Sequence, residues 1–281
     1  MTPTGLIAVL VIAPFASMTL AWIIAIRTGR SGFIDAIWSF ATGAGGIAGS
    51  LARLSGTDAI RSRQWLVAGL AVLWSARLGL HIAARTIRGG DDPRYRQLRH
   101  EWRHDFRRKL FWFLQIQAAA ALVLVATILT AARRPTPDLG FGDVLGVAIF
   151  LVAIIGETLA DHQLARFRAV PENAGKVCDI GLWRFSRHPN YFFEWLIWTA
   201  FALIAIDFSG AYPWGFMALA GPILMYRLLV HVSGIPPLEA HMLRSRGDGY
   251  ADYQRRVNAF WPGPPKAWPA DPPGETTGGT R

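Results

Sequence analysis

The sequence predicts an all-α protein embedded in a membrane, and three observations support this prediction. Hydrophobic residues make up 52% of the 281 residues and charged residues only 17%, against about 25% charged residues in an ordinary soluble domain. The chain has 12 tryptophans and a mean hydropathy of +0.27. Its apolar residues also fall in repeated runs, many of them close to the roughly 20 residues that a helix needs to cross a bilayer.

The apolar runs predict a bundle of seven transmembrane helices. They cover residues 5–26, 33–54, 65–84, 110–132, 143–160, 191–208 and 213–232. Glycine and proline inside these runs are compatible with helices, because neighbouring helices satisfy the backbone groups that they free. We expect one domain over 1–261, made of halves at about 1–132 and 141–261. A Pro/Gly/Thr-rich tail over 262–281 is predicted to be disordered.

The net charge of +10 is explained first by membrane topology. If the N-terminus lies outside, the predicted inside segments hold 23 Lys and Arg residues and the outside loops hold 5. Such a bias toward one side is typical of cytoplasmic segments, so the C-terminus is predicted to be cytoplasmic. Binding of an anion at this face is the second interpretation, and nucleic-acid binding is the weaker one.

Residues 100–104 read HEWRH, which matches the zinc-binding pattern H-E-x-x-H. The flanking arginines would repel Zn²⁺, and no third ligand follows at a familiar spacing. The single cysteine, Cys178, also excludes a disulfide or a multi-cysteine metal site. We therefore expect a charged helix here and no metal.

Ionisable residues inside the predicted spans are candidates for function, because burying them in a membrane is costly. The candidates are Asp35, Arg77 and Glu194 within the spans, and Glu157 and Asp161 at the inner end of the fifth span. Asp35 shares a helical face with Trp38, and Glu157 and Asp161 lie one turn apart. A structural role is also open for each, since Asp35 and Glu194 are placed to interact with a helix N-terminus.

Residues 186–195 read SRHPNYFFEW and stand directly before an apolar run. Pro189 predicts a turn, and Asn190 is expected to cap the helix that follows. Arg187 and His188 offer donors to an anionic group near that helix N-terminus. The segment therefore predicts a phosphate or carboxylate site at the membrane surface.

Longer strings resemble the steroid 5α-reductase-like membrane enzymes, in particular their bacterial branch of uncharacterised reductase-like proteins. They are GLWRFSRHPNYFFEW, ETLADHQLARFR, VSGIPPLE, YADYQRRVNAFWP, DAIW, LWSARLGL and DDPRYRQLR. The resemblance spans nearly the whole chain. The RHPNY core alone is less specific, because it also occurs in isoprenylcysteine-type methyltransferases that bind S-adenosylmethionine.

The resemblance implies an NADPH-dependent reductase in a bacterial inner membrane, with its cofactor site facing the cytoplasm. The N-terminal half would hold a lipophilic substrate and the C-terminal half the cofactor. By analogy, Arg88 and Arg94 would select NADPH over NADH through its 2′-phosphate. The implied cofactor-binding residues are Arg77, Arg88, Arg94, Glu157, Asp161, Arg168, Arg187, His188, Asn190, Tyr191 and Glu194.

The implied catalytic pair departs from the family pattern. The steroid enzymes use a glutamate and a tyrosine, whereas this chain offers Asp35 and, three residues before Arg77, Trp74. We expect a protonated Asp35 to stabilise the enolate oxygen while hydride adds to the β-carbon of an α,β-unsaturated carbonyl lipid. Trp38 and Trp74 would line the pocket.

Two other functions remain open at this level. One is an S-adenosylmethionine-dependent membrane methyltransferase, and the other is a non-enzymatic lipid-binding scaffold. The expected partners are the lipid bilayer and a lipophilic small molecule, with no nucleic acid and no obligate protein partner.

Overall fold

The protein is a helical bundle in which long helices run back and forth between two ends. The computed structural model describes residues 2–53, 60–89, 92–136 and 138–266. Within these residues there are ten α-helices and no strand. They are α1 (Pro3–Thr28), α2 (Ile34–Leu51), α3 (Ser62–Gly89), α4 (Pro93–Trp102), α5 (Phe106–Ala132), α6 (Phe141–Ala169), α7 (Pro189–Ala205), α8 (Ala220–Tyr226), α9 (Ile235–Arg246) and α10 (Asp248–Arg256).

Five stretches are long and apolar enough to cross a membrane by length and composition. They are Pro3–Thr28, Ser62–Arg88, Arg94–Ala132, Phe141–Ala169 and Pro213–Arg246. The all-helical class is thus confirmed. Two further predicted spans correspond to α2 and α7, which are shorter, with 18 and 17 residues. The count of seven crossings stays a prediction.

The last predicted span, 213–232, is not one regular α-helix. It begins as a 3-10 turn over Pro213–Leu219, continues as the short α8 and ends in a π-helical turn over Arg227–Val232. Pro222 lies in the first turn of α8, where its missing N–H costs no hydrogen bond. Of the predicted tail, residues 267–281 lie outside the described residues.

The core brings α3, α5, α6 and α7 together around buried apolar side chains that include Trp74, Phe150, Trp198 and Phe201. α6 and α7 pack closely because small residues lie between them. A Cβ atom placed on Gly146 would come within 2.9 Å of the Ala200 carbonyl oxygen. This close approach fixes the faces of α6 and α7 that meet at the site described below.

Polar contacts tie the helices at both ends of the bundle. We call the end that carries α4, α9 and α10 the α4 end. The opposite end carries the 133–140 linker, where Asp143 forms ion pairs with Arg63 at 2.8 Å and Arg134 at 2.6 Å. All three side chains are nearly inaccessible to solvent, with 1%, 2% and 6% exposure for Arg63, Asp143 and Arg134.

Candidate functional site

Arg77 of α3 connects two carboxylates of α6. Its Nη1 atom pairs with Glu157 and its Nη2 atom with Asp161. Glu157 and Asp161 are four residues apart and therefore lie on the same helical face, so that one guanidinium reaches both. The three side chains are largely buried, with exposures of 14% for Arg77, 5% for Glu157 and 14% for Asp161.

Glu194 of α7 is held by two indole groups. Trp74 Nε1 lies 3.1 Å from each carboxylate oxygen of Glu194, and Trp198 Nε1 lies 3.0 Å from Oε1. The Trp74 ring packs edge-on against Trp198 and against Trp38, with centroid distances of 4.8 Å and 6.4 Å. The indole N–H of Trp74, a residue of the implied catalytic pair, is thus hydrogen-bonded to Glu194.

Asn190 links α7 to the same carboxylates. Its Nδ2 atom lies 3.4 Å from Asp161 Oδ1. The prediction that Asn190 caps α7 is wrong, because His188 occupies the N-cap position and α7 already begins at Pro189. The fixed φ of Pro189 suits the first helical position, so the helix starts two residues earlier than the capping pattern predicts.

Glu157, Asp161 and Glu194, together with Arg77, form what we call the carboxylate cluster. It contains three carboxyl groups and one guanidinium, and His81 Nε2 lies 3.6 Å from Asp161 Oδ2. Within the described part of the chain, Glu157 Oε2 and Asn190 Oδ1 are buried atoms without a hydrogen-bond partner. A polar ligand that donates hydrogen bonds would satisfy both atoms.

Asp35 lies in a second polar group, at the junction of α2 and α4. It pairs with Arg94, and the Tyr95 hydroxyl donates to its Oδ1 atom at 2.9 Å. Asp35 is thus engaged within the chain, and its expected role in stabilising the enolate oxygen stays a prediction. Trp38, on the same helix, donates its indole N–H to the Gln117 carbonyl oxygen at 2.9 Å.

Arg94 pairs with two carboxylates, and its predicted role in phosphate binding stays a prediction. Besides Asp35 it contacts Asp92, whose Oδ2 atom also lies 2.9 Å from Arg85 Nη2. Burial by itself would raise the pKa of Asp92, but the two guanidinium groups outweigh burial and hold that pKa below its ordinary value. Arg94 therefore has its charge balanced inside the protein.

Arg187 and His188 are also engaged within the chain rather than free to bind an anion. Arg187 Nε and His188 Nε2 lie 2.7 Å and 2.9 Å from Glu239 Oε1 on α9. Tyr191 stacks on the His188 ring, with a centroid distance of 5.4 Å and an interplanar angle of 12°. These contacts join the start of α7 to α9. We call Arg187, His188 and Glu239 the α7–α9 contact.

The burial of His188 makes the stability of the α7–α9 contact sensitive to acid. Burial lowers the pKa of His188 below its ordinary value of 6.5, and the hydrogen bond with Glu239 opposes this only in part. As the pH falls below about 6.5, His188 binds a proton in the unfolded chain but stays neutral in the folded chain. The free energy of unfolding should therefore decrease as the pH decreases from about 6.5. Thermal denaturation in detergent between about pH 8 and about pH 5 measures this slope. His188→Gln should make it shallower, whereas replacing the exposed His104 by Gln should not.

Several arginines remain accessible at the α4 end. Arg88 and Arg168 are exposed at the ends of α3 and α6. Arg168 lies within electrostatic range of Arg85 and Arg246, and no carboxylate among the described residues pairs with it. Clustered guanidinium groups of this kind suit the oxygen atoms of a phosphate.

The HEWRH string does not form one continuous α-helix. Helix α4 ends at Trp102, and Arg103 has φ of 40°, in the left-handed region. His104 therefore lies in a separate 3-10 turn over Arg103–Asp105. In the described residues no group of three or more His, Cys, Asp or Glu side chains is placed to hold a metal ion.

The site residues predicted from the sequence did not include several members of these polar groups, among them Tyr95, Trp198 and Glu239. Trp198 follows Glu194 by four residues, so helical spacing alone could have placed its indole near that carboxylate. Glu239 lies in the VSGIPPLE string, but its partners precede it by more than fifty residues. No local pattern indicates that pairing.

Comparison with known proteins places these residues within one family model. A model described as a protein of unknown function (DUF1295) matches residues 21–257. Uncharacterized protein C594.04c of Schizosaccharomyces pombe is 27% identical over 226 residues, covering 71% of this chain and 63% of the relative. The chain thus spans less than two thirds of the length of that relative. No solved structure matches the chain.

Proposed function

This chain belongs to the DUF1295 family of proteins of unknown function, and we propose that it is an integral-membrane, NADPH-dependent reductase. Its substrate would be a lipophilic α,β-unsaturated carbonyl compound, steroid-like or isoprenoid-like, whose C=C bond is reduced. The observation that carries the proposal is the carboxylate cluster, which joins α3, α6 and α7 at residues that the resemblance assigns to a cofactor.

The polar groups of the site suit a phosphorylated dinucleotide. Arg88 and Arg168 are exposed at the α4 end and would hold phosphate groups there. Asn190 and Glu157 have buried oxygen atoms without a partner among the described residues, and these would accept hydrogen bonds from a carboxamide or a ribose. Arg94, which is neutralised by Asp35 and Asp92, is left out of this assignment.

In the proposed reaction the bound cofactor supplies hydride to the β-carbon of the substrate. The chain orients the reactants and excludes water. Trp38 and Trp74 pack edge-on next to Glu194, and they form an apolar wall between the two halves of the bundle. Asp35 holds Arg94 and Tyr95 in place, and its role in stabilising the enolate oxygen remains to be tested.

We further propose that the bundle crosses the membrane seven times, with the N-terminus outside and the α4 end in the cytoplasm. The support is the distribution of 23 Lys and Arg residues over the segments assigned to that side, against 5 on the other. In this topology the site opens to the compartment that contains NADPH.

The charge of the carboxylate cluster also favours a second candidate function. Three carboxyl groups outnumber the single guanidinium of Arg77, so the cluster suits a ligand with a positively charged group. The sulfonium of S-adenosylmethionine carries such a charge, and a membrane methyltransferase is therefore the alternative. A nicotinamide ring, which becomes positive when it gives up hydride, would be stabilised in the same way.

Thermal-shift titration of the detergent-solubilised protein separates the candidates. A ligand at a hundred times its Kd should stabilise the folded state by about 2.7 kcal/mol. We expect this effect with NADPH and a weaker one with NADH. Stabilisation by S-adenosylmethionine alone would favour the methyltransferase, and no response to any of the three would favour a scaffold.

A matched pair of variants tests the phosphate assignment in the same assay. Arg168→Met should weaken NADPH binding about ten- to a hundredfold, the loss of one or two charged hydrogen bonds. Arg30→Met removes another exposed arginine from the same end and should bind NADPH like the wild type. Equal behaviour of the two variants would remove Arg168 from the site.

A further inference from the structure

Glu194 lies where the two halves of the bundle meet. On one side its carboxylate accepts hydrogen bonds from Trp74, which packs on Trp38 of the N-terminal half. On the other side it belongs to the carboxylate cluster of the C-terminal half. A proton held at this point would be close to groups that both the substrate and the cofactor are proposed to contact.

Glu157 and Glu194 lie at the same level of the bundle, on the touching faces of α6 and α7. The two helices are antiparallel, and Asp161 contacts Asn190 across their interface. On α6, Glu157 lies one turn before Asp161, and on α7, Glu194 lies one turn after Asn190. Because the two helices are antiparallel, both glutamates are displaced away from the α4 end.

The surroundings cannot balance three negative charges. Arg77 is shared between Glu157 and Asp161. On the same helix, His81 Nε2 lies 3.6 Å from Asp161 Oδ2. Among the described residues, the hydrogen-bond donors to Glu194 are the neutral indoles of Trp74 and Trp198. Both glutamates are at least 95% buried, where an uncompensated charge is costly and a neighbouring carboxyl group takes up a proton instead.

We propose that Glu157 and Glu194 share one proton, and that this pair donates the proton that completes the proposed reduction. The unpartnered Oε2 atom of Glu157 is a place where that proton can reside. The second half of the proposal rests on the proposed function, whereas the shared proton does not.

The step balances in atoms and charge. Hydride bonds to the β-carbon of the substrate, and the electron pair of the C=C bond moves toward the α-carbon and the carbonyl oxygen. The proton then passes from the carboxyl pair to the α-carbon, which leaves both carboxylates ionised while the cofactor becomes oxidised. A proton from bulk solvent then returns to the pair through His81, whose imidazole is 41% exposed, and Asp161.

Infrared spectroscopy of the full-length protein in lipid vesicles tests the shared proton without any turnover. The wild type should show the carbonyl-stretch band of a protonated carboxyl group, sensitive to deuterium exchange. Glu157→Gln and Glu194→Gln should each lose that band, because either substitution removes the like charge that keeps the proton in place. Glu172→Gln, at an exposed glutamate, should keep it. Absence of the band in the wild type, or its survival in either cluster variant, overturns the proposal.

Turnover tests the donor role separately. With an enone substrate and NADPH, Glu194→Gln should lower kcat about a hundredfold or more, with a larger solvent deuterium isotope effect than in the wild type. If the variant keeps the wild-type kcat, the pair is not the donor. If the wild type shows the infrared behaviour but reduces no enone, the proposed function fails while the shared proton stands.

Discussion

Replacing Arg77 by methionine should lower the free energy of unfolding by about 3–5 kcal/mol. The substitution removes the one guanidinium that contacts Glu157 and Asp161, and both carboxylates would stay in a largely buried site. Denaturant titration in mixed micelles measures the effect. If the variant is as stable as the wild type, the cluster does not depend on this cation.

Two further variants make the result specific. Arg88→Met changes an exposed arginine eleven residues further along the same helix and should alter stability by no more than about 0.5 kcal/mol. Adding Glu157→Leu to Arg77→Met should recover part of the lost stability, because an apolar pair avoids the cost of an unbalanced buried carboxylate. A double variant that is less stable than Arg77→Met would contradict this account.

Replacing Asp143 by alanine should cost a similar amount, about 3–5 kcal/mol, at the opposite end of the bundle. Asp143 is the carboxylate that balances Arg63 and Arg134, and both arginines are almost completely buried. Among the described residues, its loss leaves the two guanidinium groups with carbonyl oxygens and the Thr136 hydroxyl as partners. The same denaturant titration measures the change.

Asp138→Ala is the matched control for Asp143→Ala. Asp138 lies in the same linker, but its side chain is exposed and only its backbone carbonyl oxygen accepts a hydrogen bond from Arg63. Alanine keeps that carbonyl, so the control should remain within about 0.5 kcal/mol of the wild type. Since neither residue belongs to the carboxylate cluster, NADPH binding by any folded fraction should be unchanged in both variants.

Parts of the site follow from local sequence spacing. Glu157 and Asp161 are four residues apart, as are Asn190 and Glu194, and in both pairs helical periodicity places the two side chains on one face. The structure has these pairs on the touching faces of α6 and α7. The roles predicted for them remain to be tested by the binding and infrared experiments.

Other predictions treated a charged residue as free to meet a ligand, and those ligand contacts stay predictions. Arg94, Arg187 and His188 were each expected to meet a ligand, and each is instead bonded to a carboxylate of the chain. The sequence identifies the charged residues but not which of them become neighbours in the folded chain. A cation near a predicted site is therefore weak support for a ligand until its internal partners are known.

The sequence by itself determined that this protein is helical and suited to a membrane, because apolar composition and helical periodicity are local properties of the chain. Only the tertiary structure decided the partners of the buried charges. Arg77 meets Asp161 across 84 residues, Trp74 meets Glu194 across 120, and Arg94 meets Asp35 across 59. Such pairings depend on which helix faces pack together, since a buried charge is stable only where packing brings a counter-charge or a donor to it.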